Sequence, residues 1–122
     1  MTGIKDHDGG VKQLCIIISN MGIVRLRRTT SEFRGYHLPD IVTLIGPRYK
    51  DRIVIDYVHT SDSFNRVLGG MVRLASLRTF AHYVMVLNDD IWDYFEDEAK
   101  SHPSIVILPF KDFKEWLEFQ IS

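Results

Sequence analysis

Three observations predict an α/β domain whose mixed sheet is covered by helices on both faces. Four short apolar runs, at 41–45, 52–58, 83–87 and 104–108, have the length and β-branched content of buried strands. Between and beside them, apolar residues recur at three- and four-residue spacing, the period of a helix with one buried face. The resulting order, α-β-β-β-α-β-α-β-α, begins as a meander and then alternates, which is the pattern of a sheet part antiparallel and part parallel.

Each element has its own signal. Residues 1–10 contain Asp6, His7 and Asp8 and end in Gly9-Gly10, and they read as a flexible N-terminal tail before a single domain over 11–122. Over 11–20, Val11, Leu14, Cys15, Ile17 and Ile18 trace a helical face that Gly22 can close in the left-handed conformation. The run Ile16, Ile17, Ile18 would also suit a buried strand, and the spacing and the glycine stop favour the helix. Ile23, Val24 and Leu26, interleaved with Arg25 and Arg27, predict a short strand with a cationic polar face. Residues 29–37 form a connection into Leu38-Pro39-Asp40. The runs 41–45 and 52–58, separated by Gly46-Pro47 and a charged turn, predict a hairpin.

Ser61 or Ser63 can cap a long helix over 64–81, with Phe64, Val67, Leu68, Met71 and Leu74 on one face. Within it, Gly69 and Gly70 each cost about 1 kcal/mol relative to alanine, so the pair marks close packing against the sheet. A strand at 83–87, an acidic helix at 89–100, a strand at 104–108 and a helix at 112–119, packed through Phe113, Trp116 and Leu117, complete the chain.

Composition narrows the function classes. Fifteen basic against 16 acidic residues give a net charge of −1, so no global positive field draws nucleic acid or membrane to the 122-residue chain, and such a partner must be met by a local patch. A lone cysteine, Cys15, excludes an internal disulfide framework and a Cys-rich zinc site, and on the apolar helix face it reads as core. With no apolar stretch of the roughly 18 to 20 residues a membrane span needs and a polar first segment, the expectation is a cytoplasmic protein without a membrane partner. The five histidines lack metal-ligand spacing, and His59, which follows the Asp56-Tyr57-Val58 segment, is a metal or phosphate candidate. Aromatic residues crowd the last third (Trp92, Tyr94, Phe95, Phe110, Phe113, Trp116, Phe119). Core packing is their ordinary role, and any exposed remainder would serve a homodimer.

Two acidic residues mark the candidate site. Asp40 opens one hairpin strand and Asp56 lies near the end of the other, so both carboxylates can converge at one end of the sheet. Paired carboxylates there suit Mg²⁺ or Mn²⁺ and phosphodiester attack by water. The plainer roles are a turn-capping Asp40 and an Asp56 turned to solvent by strand alternation. Arg25, Arg27, Arg28 and Arg34, extended by Arg48, Lys50 and Arg52 with Tyr36 and Tyr49 between them, form a local cationic cluster suited to phosphate contacts. If it binds DNA, the acidic run Asp89, Asp90, Asp93, Glu96, Asp97 and Glu98 belongs on another face.

The stretch Gly22-Ile23-Val24-Arg25-Leu26-Arg27, the basic loop, Leu38-Pro39-Asp40-Ile41-Val42 and Val54-Ile55-Asp56-Tyr57-Val58, followed by a long helix, resembles the PD-(D/E)xK nuclease superfamily, archaeal Holliday junction resolvases above all. The resemblance covers about residues 11–87. It implies a restriction-endonuclease-like fold, DNA (branched DNA included) as ligand, a DNA repair or recombination setting, and a metal held by Asp40 and Asp56. Two positions depart from the pattern. Val58 stands where the family has its lysine, and 10–13 offers no acidic residue on the first helix. Arg66, on the long helix, could stabilise charge in the lysine's place but not act as a base, and Glu32 could supply a third carboxylate. The leading expectation is a degenerate, inactive nuclease-like protein that binds DNA or a DNA-processing partner. The alternatives are an active Mg²⁺- or Mn²⁺-dependent endonuclease using Asp40, Asp56 and Arg66 or Glu32, and a protein-interaction scaffold that binds no nucleic acid.

Overall fold

The computed structural model describes residues 3–23, 25–26, 33–45 and 51–121. The first helix, α1 (His7–Asn20), starts four residues before the apolar period does, because the Asp6 side chain accepts a hydrogen bond from the Gly9 N–H at 2.8 Å and caps it. Residues 7–10, expected in a tail, are therefore its first turn. Gly10 sits where α1 crosses the ring of Tyr57, and a Cβ at this position would overlap that ring. Leu14 and Ile18 are buried, Cys15 is half-buried and packs against the same core, and Gly22 leaves the helix at φ +73°.

Four strands form a mixed sheet: β2 (Ile41–Ile45), β3 (Asp51–Val58), β4 (His82–Leu87) and β5 (Val106–Pro109), with the two-residue β1 (Arg25–Leu26) beside β2 at one edge. The hairpin register sets Ile41 opposite Ile55 and Ile45 opposite Asp51. β3, β4 and β5 run parallel, and strands follow one another across the sheet in chain order. The long strands thus alternate with helices α2 (Phe64–Ala75), α3 (Asp89–Ala99) and α4 (Phe110–Ile121) in the order α-β-β-α-β-α-β-α.

Side-chain alternation along β3 feeds two cores. Val54 and Val58 pack with Phe64, Met71 and Leu74 of α2 and Ile91 of α3, whereas Ile53, Ile55 and Tyr57 pack with Leu14 and Ile18 of α1 and Phe113 and Leu117 of α4. Phe64, Met71 and Phe113 keep no exposed surface, and each such burial stabilises the fold by about 1.5–3 kcal/mol.

Several boundaries differ from the sequence expectation. α2 ends at Ala75 rather than near 81, because the Ala81 N–H donates to the Arg52 carbonyl at 2.8 Å and so belongs to the sheet. Between them the chain turns through Arg78 at φ 56°. Gly69 faces open space, and only Gly70 marks a close approach, to His37 rather than to the sheet. β5 begins two residues later than expected and α4 two residues earlier. Among the described residues, no helix is long and apolar enough to cross a membrane.

Candidate functional site

The hairpin register brings Asp40, just before β2, beside Asp56 in β3. The two are stitched reciprocally: the Asp40 N–H donates to Asp56 Oδ1 at 2.9 Å, and the Tyr57 N–H donates to Asp40 Oδ2 at 2.9 Å. Each carboxylate also meets a histidine. His37 Nε2 lies 2.6 Å from Asp56 Oδ2, and His7 Nε2 lies 2.9 Å from Asp40 Oδ2. A cleft of about 250 Å³ opens here, lined by His7, His37, Asp40, Asp56, Ser63 and Arg66. Gly70 makes room for it, since a Cβ there would stand 2.7 Å from His37 Cβ and Cγ.

Asp40 and Asp56 thus meet, and Arg66 joins them. Asp56 does not turn to solvent; it is 2% exposed and lies on the α2 side of the sheet. Asp40 does take the turn-capping role through the Tyr57 amide. Val58, on the same face as Asp56, is buried among apolar side chains under α2. Of the cationic cluster, Arg34 is exposed, Arg52 lies over the Phe80 ring at 4.7 Å and Arg25 is in β1. Arg27, Arg28, Arg48 and Lys50, with Glu32 and Tyr49, lie outside the described residues. Sequence reasoning missed His7 and His37. Asp6 three residues before Gly9 was a readable cap that would have placed His7 on a helix, and His37 stands three residues before Asp40.

On the opposite face, the Tyr57 hydroxyl and His59 Nδ1 are hydrogen-bonded at 3.1 Å, and the Asn88 side-chain amide donates to the His59 carbonyl at 3.1 Å. Burial, reinforced by the charges of Asp89 and Asp90, pushes the Tyr57 phenol up to about 12, so it stays protonated. His59, the metal or phosphate candidate, is held as part of this network.

The electrostatics favour keeping protons in the cleft. Burial raises the Asp56 carboxyl, assisted by the Asp40 charge and opposed by the His37 hydrogen bond. His37 is raised by its hydrogen bond to Asp56 and by both carboxylate charges, against burial and Arg66. For His7, burial alone would lower the value, but the charge and hydrogen bond of Asp40, with Asp8, outweigh it and raise it. A group raised on folding binds its proton more tightly in the native state, so its stabilisation is complete below the unfolded value and is lost as pH rises through the folded one. For both histidines the window therefore opens above the ordinary value of 6.5. Thermal midpoints are expected to fall from pH 6 to pH 9, and His37→Gln should flatten that slope in a melting series.

A hard divalent cation would have to compete with the protein donors already on Asp56. Both Asp56 oxygens already accept short hydrogen bonds, and among the described residues no group of three or more His, Cys, Asp or Glu side chains converges to hold a metal. What the cleft can do is retain a proton between His37 and Asp56 and present Arg66 to an anion at its mouth. Comparison with family models, with curated proteins and with solved structures gives no match to this chain.

Proposed function

We propose that this chain is a degenerate, non-cleaving relative of the restriction-endonuclease-like nucleases that binds DNA, branched DNA included, or a DNA-processing partner. One observation carries the reading: the Asp56 carboxylate is closed by His37 at 2.6 Å and by the Asp40 amide at 2.9 Å, so it is committed to protein donors. Apolar Val58 two residues on leaves no cation at the position where the family has its lysine, and transition-state charge would go unsupported there. The antiparallel β1–β3 portion, followed by parallel β4 and β5, is compatible with that fold.

A second reading, an active Mg²⁺- or Mn²⁺-dependent endonuclease, has one observation in its favour, the presence of Arg66 in the same cleft as Asp40 and Asp56. End-labelled four-way-junction DNA, incubated with the protein and either metal beside an Asp40→Asn control, separates the two. The expected result is a retained, salt-sensitive complex without cleavage, abolished when Arg25, Arg27 and Arg28 are all changed to Glu. Cleavage by the unmodified chain alone would establish the active enzyme instead. Absence of any DNA complex would leave the scaffold reading.

A further inference from the structure

Charge is divided unevenly along this chain, and the fold turns that division into geography. Residues 89–122 carry nine acidic and three basic side chains, net −6, whereas residues 1–88 carry seven acidic and twelve basic, net +5. The acidic part is α3, β5 and α4, the edge of the sheet opposite β1. At that edge, Leu108 of β5 and Asp112, Glu115, Trp116 and Phe119 of α4 line a groove of about 550 Å³. The four α4 residues follow the i, i+3, i+4, i+7 spacing of one helical stripe. Phe119 is 77% exposed.

We propose that this groove docks a basic segment of a partner polypeptide, with Lys or Arg side chains set between the carboxylates and the aromatic faces and an apolar anchor against Leu108 and Trp116. Carboxylate beside aromatic is the pairing a guanidinium or ammonium group satisfies best, through salt bridge and cation–π attraction together. A second copy of this chain is disfavoured where a two-fold axis passes through the groove, since the acidic stripe would then face itself. This inference goes beyond the DNA-binding reading and is independent of the cleft.

Fluorescence anisotropy with a labelled peptide of alternating Lys and Leu, and a matched peptide of alternating Glu and Leu, tests it on the full chain. The basic peptide should bind and the acidic one should not. Phe119→Ala and Glu115→Lys should each weaken binding by about fivefold. Glu96→Lys, on α3 and with the same charge change, should have less than about a twofold effect at physiological salt, where charges act over about 8 Å. An equal loss in Glu96→Lys would reduce the effect to net charge and overturn the groove. So would sedimentation showing a dimer that Glu115→Lys dissolves.

Discussion

Replacing His37 with alanine is expected to cost the fold about 3 kcal/mol, read as a fall in the urea midpoint at constant slope. The reason lies in Asp56, which is 2% exposed and keeps only the Asp40 amide once the 2.6 Å partner is gone. A buried carboxylate short of one partner either stays charged at a heavy desolvation cost or takes up a proton. The double variant His37→Ala, Asp56→Asn should recover much of the loss, because it removes the charge along with its partner. Equal stability of the single and double variants would show that the pair is not coupled.

The second large effect is that of restoring the missing lysine. Val58→Lys is expected to unfold the chain partly or fully rather than to rebuild a nuclease, with a loss of about 3 kcal/mol or more. Val58 is 1% exposed and packs with Val54, Phe64 and Met71. An ammonium placed there would lie among apolar side chains, and burial would depress its value. Its unfolded state would then bind more protons than its native state, so the deficit should shrink as pH rises. Denaturant melts at pH 7 and pH 10 check the sign. A stable variant that cleaves junction DNA with Mg²⁺ would instead mean that the α2 layer yields to a cation.

Much of the architecture was legible because its signals are local. Ile41 through Ile45 announce a strand by β-branching, and Phe64 to Leu74 announce a helix by period. Where tertiary pairing overrides period, the reading slipped: Ala81 continues the apparent helical pattern but gives its amide to β3. The meeting of Asp40 and Asp56 was legible from the hairpin alone. Their histidines were not, since His7 reaches Asp40 across 33 residues and His37 is placed by a glycine on α2. Gly69-Gly70 pointed to packing against the sheet, whereas only Gly70 makes a close approach and its neighbour is His37.

The order of the sheet has a consequence for how the molecule is made. Every strand lies beside the one synthesised just before it, so an emerging strand finds its neighbour already in place and never waits for a later one. Such a chain can assemble vectorially, and the ribosome need release no long unpaired edge before a partner exists. In chain order β5 and α4 follow the other described elements, so the acidic edge is added to a sheet whose β2–β4 part can already be paired.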